Sequence, residues 1–322
     1  MCSSDLATIL FTLTVGAVAV PVSLPDGVAV TAGPVNLVTV ARNGHRISIY
    51  GDADDYPPSP EMCLLTHSRR DVAWAALQRG DSGSAGLEIV APAAELEQFA
   101  GVGEFWKSMA VSGQFHDYAQ QTTRILASPL NIDRPEAGGG RLSWQDLEFR
   151  IIDTPGYTRG AISYVGRIDG RKIGFTGDLL WGDGRILDLY SLQDAIEGTR
   201  IRGYHGYAGR IGRLLASLRK VREERCDLLV PSRGPVIGNP EQAINALIER
   251  LQAVYANYLS INAGRWYFKD DYDTLAEKAL NPGRQVAWMP WAETINEQPP
   301  DWIRVISNSR LIVSQDRSAF LV

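Results

Sequence analysis

Four short apolar runs in this chain each end in a turn of small and polar residues around one or two charged or aromatic ones. They are Thr66 to Val72, Thr154 to Thr158, Thr176 to Leu180 and Pro231 to Pro235. A strand that ends in such a turn delivers polar side chains to a sheet edge, where chemistry collects in sheet-based proteins. Between the turns lie helical patterns. "GRIGRLLASLRKVREERC" sets Ile211, Leu214, Leu215, Leu218 and Val221 on one face. "NPEQAINALIERLQAVYANYL" starts from Asn239 as N-cap and Pro240 in the first turn, with a stripe of Ile244, Leu247, Ile248, Leu251, Val254 and Tyr255. "RDVAWAALQRG" groups Val72, Ala75, Ala76 and Arg79 and predicts a stop at Gly80. "AAELEQFAGVGEFWKSM" and "QFHDYAQQTTRIL" also read as helical. Strands are predicted over 28–50 around an Asn43-Gly44 turn, at "EMCLLTH", at "LEIVAPA", and through 141–181 with a tight turn at Asp169-Gly170. Strand and helix blocks that alternate twice predict a layered α/β fold.

The chain has 322 residues, 45% of them apolar and 21% charged, enough to bury a substantial core. A net charge of −5 with no basic stripe gives no reason to expect nucleic acid. Residues 7–24 are nearly all apolar or Thr; no basic region of the kind that opens a signal peptide precedes them, they are marginal in length for a membrane span and interrupted by Pro21, and their Val and Thr content also suits a strand. The opening "MCSSDL" reads as non-native, which leaves localisation open. The segments expected are an N-terminal stretch to 27, a domain over 28–280, a Pro-rich linker over 281–301, and over 302–322 a terminal hairpin or the start of a second domain. The second-domain reading comes from the likeness of "NSRLIVSQDRSAFLV" to "NLVTVARNGHRISIY". Cys2, Cys63 and Cys226 make no disulfide framework and no C-x-x-C pair. There are four histidines, His45, His67, His116 and His205. Neither "GEFWKS" nor "GYHGYAG" has the context of a phosphate loop, and no G-x-S-x-G elbow occurs.

The order and chemistry of the four turns resemble the metallo-β-lactamase superfamily, from about Pro34 to Tyr258. The first family motif, H-x-H-x-D-H, aligns with His67-Ser68-Arg69-Arg70-Asp71-Val72, so that a His and the Asp match while Arg69 and Val72 stand at the other His positions. The P-G-H-T turn becomes Pro155-Gly156-Tyr157-Thr158, and the T-G-D turn is kept as Thr176-Gly177-Asp178. The P-x-H-G turn becomes Pro231-Ser232-Arg233-Gly234, and "GDADD" (51–55) stands where the family has a further Asp-containing turn. The resemblance implies a four-layer αβ/βα sandwich with two β-sheets flanked by helices. It also implies a site at these turns where the family holds two metal ions.

The substitutions reduce the implied ligand set to His67, Asp71 and Asp178, two per ion, where a tight tetrahedral site uses three or four. Arg69 and Arg233 add fixed positive charge that cannot ligate a metal. A guanidinium ~4 Å from a dication is repelled by ~8 kcal/mol at an effective dielectric of 20. The same arginines are expected to pair with Asp71 and Asp178. The leading expectation is therefore a hydrolase-like domain with a degraded dinuclear site, without a cofactor, acting as a structural or ligand-binding unit beside a second domain or a second copy. One alternative is a working hydrolase of ester, thioester or lactam-like bonds. It would hold one zinc or similar ion on His67, Asp71 and Asp178, with Asp71 and Tyr157 as catalytic groups and His205 as a further pocket residue. Another is an anion-binding protein whose pocket is lined by Arg69 and Arg233 and takes a carboxylate or phosphate. No membrane partner is evident.

Overall fold

Strict alternation of apolar side chains sets the layers. The computed structural model of the chain describes residues 22–51, 58–81, 86–104, 107, 125–201, 203–280, 283–289, 299–306, 309–318 and 320–321. The first sheet runs in chain order through β1 (Val28–Thr31), β2 (Leu37–Arg42), β3 (His45–Ile49), β4 (Met62–Leu64), β5 (Glu88–Pro92) and β6 (Arg134–Glu136). Its first three strands form an antiparallel meander and the rest pair in parallel. The β2–β3 turn is the predicted Asn43-Gly44, both with positive φ (53° and 81°), as a two-residue hairpin with right-handed twist requires.

The second sheet has the order β11-β10-β9-β8-β7, with β7 (Arg141–Trp144), β8 (Leu147–Asp153), β9 (Ile162–Ile168), β10 (Arg171–Gly177) and β11 (Leu228–Pro231). Only β10 and β11 pair in parallel, across the connection that contains α3 (Ile211–Glu223). Phe149 and Ile151, Ile162 and Tyr164, Ile173 and Phe175, and Leu228 and Val230 join the first sheet's Val38, Val40, Ile47 and Ile49 in one cluster. That cluster also takes in Val72, Ala73, Ala76 and Leu77 of α1 (Arg70–Asp81) and Phe99 of the short α2 (Leu96–Ala100). The intervening residues Ile152, Val165 and Leu229 face a second cluster with α3, α4 (Pro240–Ile261) and α6 (Asp270–Leu280), to which the short α5 (Gly264–Phe268) leads. Two mixed sheets flanked by helices make this an α/β sandwich.

Local details depart from the sequence reading in two elements. Helix α1 runs through Gly80 to Asp81, and it buries 72, 73, 76 and 77, leaving Ala75 only half-buried. Packing on the sheet decides that face, outweighing the weak propensity of one glycine. In α4 the predicted cap holds, with the Asn239 side chain accepting from Gln242 N at 3.2 Å, but Val254 is exposed and Ala243, Ala256 and Leu259 complete the buried stripe. His116 and residues 52–55 of the "GDADD" turn lie outside the described residues.

Toward the end of the chain, β12 (Ile303–Ile306), β13 (Ser309–Val313) and β14 (Phe320–Leu321) form an antiparallel meander of their own. Its second connection is longer than the two-residue turn of β2–β3, and there the Asp316 carboxylate gathers Ser314 Oγ and Ser318 Oγ, each at 2.6 Å. In the segment expected as a linker, Val286 and Trp288 pack on the second cluster, and Trp288 lies under the Arg265 guanidinium. Among the described residues no helix is long and apolar enough to cross a membrane. Phe149 is fully buried between the sheets, its ring 6.2 Å from that of Phe175. Phe149→Ala is expected to lower the unfolding free energy by ~3–5 kcal/mol in urea denaturation.

Candidate functional site

The four turns predicted from sequence meet at one edge, at the carboxyl ends of β4, β8, β10 and β11, where the two sheets adjoin. Backbone bonds join them directly. Ile162 N donates to Thr66 O at 2.9 Å, Ser232 N to Gly177 O at 2.9 Å, and Asn36 N to Ser232 O at 2.7 Å. Close approach fixes glycine at two places. Gly177 has φ of 57°, and a Cβ there would lie 2.4 Å from Thr66 Oγ1; Gly234 has φ of 73°, and its Cβ would strike the Trp181 indole.

At the centre lies Asp178, buried on the turn after β10. Its Oδ1 accepts from Ser232 Oγ at 2.5 Å and from Arg233 Nε at 2.9 Å. Its Oδ2 is 3.2 Å from His67 Nε2, close enough for attraction but out of line for a hydrogen bond, so neither atom has a hydrogen-bond partner. His67 Nδ1 accepts from Arg69 N at 3.3 Å, which assigns the ring proton to Nε2, on the side of the carboxylate. Burial alone would raise the Asp178 carboxyl; His67, Arg233 and Ser232 outweigh it and hold the group well below the ordinary carboxylate range.

Arg233 is the hub. Besides Asp178 it reaches Asp71 through Nη2 and the Pro34 carbonyl through Nη1 at 2.7 Å. Burial opposes its charge, and Asp178 and Asp71 raise its pKa all the same. Asp71, in the first turn of α1, is 40% exposed and also accepts from its neighbour Val72 N at 3.1 Å. One guanidinium therefore bridges the two carboxylates.

Arg69 does otherwise. Among the described residues the expected pairing with an aspartate does not form. Its carbonyl opens α1 by accepting from Val72 N and Ala73 N, and its side chain lies 5.1 Å from the Tyr157 ring centroid. The residue is 2% exposed, and among the described residues Nε, Nη1 and Nη2 have no hydrogen-bond partner. A cation–π contact is worth up to ~2 kcal/mol, less than the several kcal/mol that burying an unpaired ion costs. Tyr157 also stacks at a tilt on His67, with centroids 5.3 Å apart. His205 sits elsewhere, edge-on to Phe268 of α5 at 5.0 Å.

A second set of buried polar residues aims these turns, and the sequence reading missed it. Glu95 accepts from Ser68 N at 2.7 Å and from Gly160 N at 2.8 Å, tying the turn after β4 to the one after β8. Arg210 donates to the carbonyls of Gly156 at 2.8 Å and Tyr157 at 3.0 Å and to Asp194 at 3.0 Å. Tyr50, at a left-handed φ of 69°, donates to Val230 O at 2.6 Å and accepts from Gly177 N at 2.9 Å; burial pushes its phenol up. Asn36 Nδ2 donates to Pro231 O at 3.0 Å and Gly234 O at 2.8 Å. Their partners lie 16 to 198 residues away, beyond any local repeat, so no local spacing marks them.

Among solved structures, a metallo-β-lactamase with a HARLDQ motif from Cronobacter sakazakii (Enterobacter sakazakii) superposes with a TM-score of 0.51 at 16% identity, covering 74% of this chain and 97% of its own. A metallo-β-lactamase family protein from Thermus thermophilus gives 0.50 at 16% identity, covering 73% and 82%. The chain has the metallo-β-lactamase fold. Likeness at this level of identity shows the fold alone. No family model and no curated protein matches the sequence.

The donors present do not match the metal pair that this fold implies. Asp178 Oδ1 and Asp71 Oδ2 are taken by Arg233, leaving His67 Nε2 and Asp178 Oδ2, which face each other. Among the described residues no group of three or more His, Cys, Asp or Glu is placed to hold an ion. These residues do not fit a metal pair.

The charge set around Asp178 makes stability depend on pH. Because the folded-state pKa of Asp178 lies below the unfolded one, its contribution is complete above about pH 4 and fades as pH falls through the folded value. The stability gap between wild type and Asp178→Asn should therefore be widest near neutrality and shrink toward pH 3, measured by urea unfolding across that range. Glu95→Ala, which leaves two buried N–H groups without an acceptor, is expected to cost ~3 kcal/mol or more, and Glu95→Gln less, because its amide oxygen still accepts one bond.

Proposed function

We propose that this is a metallo-β-lactamase-fold domain in which Arg233 supplies the positive charge that a metal pair supplies elsewhere, so that the domain binds a ligand without hydrolysing it. The observation that carries this reading is the Arg233 bridge between Asp178 and Asp71. Without a counter-charge those carboxylates would disfavour the fold, and with the guanidinium in place they are no longer available as ligands.

A second reading, a hydrolase of ester, thioester or lactam-like bonds with a reduced ligand set, draws on two observations. His67 Nε2 and Asp178 Oδ2 are not committed to hydrogen bonds. The HARLDQ motif named for the Cronobacter sakazakii protein shares the His-x-Arg-x-Asp spacing of residues 67–71. Arg69 therefore does not separate the two readings, and Arg233 does. In the hydrolytic case Asp71 would have to leave Arg233 before serving as a ligand or base.

Metal analysis of purified protein after dialysis against zinc, manganese or iron distinguishes them. The proposal expects far less than one equivalent bound. It also expects Arg233→Ala to lose ~3 kcal/mol of stability, since it strips a buried carboxylate of its partner, and to take up more metal than wild type. A near-stoichiometric ion that Asp178→Ala abolishes, with turnover that a chelator stops, would overturn it.

A further inference from the structure

We infer that Arg69 is the anchor of a binding site for a small monocarboxylate, a reading that rests on the metal-free assignment above and names its ligand class. The guanidinium is 2% exposed, and among the described residues none of its three nitrogens has a hydrogen-bond partner, a state that a native protein sustains only when something completes it. Its surroundings repeat the pattern. Thr66, Thr158 and Thr176 each carry a buried hydroxyl with no hydrogen-bond partner, on three of the turns that meet here. Other polar groups here are engaged, as with Ser232 on Asp178 and Glu95 on Ser68 N and Gly160 N, and His67 Nε2 and Asp178 Oδ2 face each other at 3.2 Å. Among the described residues, what is left on these turns is three hydroxyls and one buried cation, groups that can donate to an oxyanion.

Charge selects the class of anion. Buried Asp178 and half-exposed Asp71 match Arg233, and buried Glu95 is spent on Ser68 N and Gly160 N, so among the described residues Arg69 is the buried cation on these turns with no carboxylate of its own. A carboxylate balances it, and the planar guanidinium fork matches its two oxygens; a phosphate dianion would leave a buried negative excess. The Tyr157 ring, its centroid 5.1 Å from the guanidinium carbon, covers one face of the fork, so a carboxylate would meet Arg69 along its in-plane edge, the geometry of a paired fork.

The test is a thermal-shift titration of the full chain with sodium formate and sodium acetate against sodium chloride and sodium phosphate at matched ionic strength and pH. The expected result is a saturable rise in Tm of about 3 °C or more with carboxylate only. Arg69→Leu should abolish it while melting no lower than wild type in chloride, because the substitution removes an unpaired buried charge. No carboxylate shift in wild type, an equal shift in Arg69→Leu, or a larger shift with phosphate each overturns the inference. Should Arg69→Leu not fold, 13C-formate binding to wild type decides, measured with and without saturating chloride: stoichiometric binding supports the inference and its absence overturns it. Metal content of the same preparation separates the two readings. Metal-free protein without a carboxylate response overturns this inference alone. A stoichiometric ion together with a response that depends on Arg69 overturns only the metal-free assignment.

Discussion

The bridge from Arg233 to Asp178 and Asp71 is the contact on which this edge of the molecule depends. It joins the turn after β11 to the turn after β10 and to the first turn of α1, three elements far apart in the chain. Asp178 is buried with its carboxylate intact because a guanidinium, a hydroxyl and an imidazole all face it. Each of these would be costly to bury alone, and together their charges balance even though His67 Nε2 and Asp178 Oδ2 stay out of line for a hydrogen bond. A guanidinium also differs from a dication in a way that matters for chemistry. It holds carboxylates in place, but it cannot lower the pKa of a water molecule bound to it, because it has no open coordination position.

Around that bridge lies a frame of polar residues whose work is on the backbone. Glu95, Arg210, Tyr50 and Asn36 each take backbone groups that the turns leave unpaired. Arg210 is the fullest case, with its guanidinium spent on carbonyls and on Asp194, whose carboxyl burial would raise but Arg159 and Arg210 hold low. The comparison with Arg69 is instructive. Both are 2% exposed, yet one is saturated with acceptors and the other has none among its guanidinium nitrogens. Burial is common to both, so the difference between them lies in the acceptors that the fold supplies.

Much of this was legible in the chain itself. Period-two alternation in "LEFRIID" and the stripe of "GRIGRLLASLRK" give the layers, because burial on a sheet or a helix imposes a fixed repeat. The four turns could be found because turn chemistry is local. What escaped was whatever depends on contacts between distant segments. Nothing near Glu95 in sequence announces that it will meet Ser68 and Gly160, and the same holds for Tyr50. Sequence correctly set Arg233 against the two aspartates but assigned Arg69 the same task, because charge complementarity carries no information on direction. The position of Arg69 at the entry to α1 sends its side chain over the Tyr157 ring.

Asn36 holds the Pro231–Gly234 turn from 195 and 198 residues away. A loop of that size closes late, since little local structure rewards its early formation. On the ribosome the amino-terminal meander must wait, its edge at Asn36 uncapped, until β11 has emerged. The turn that carries Arg233 is therefore held in place only once the first and last strands of the two sheets have both been made.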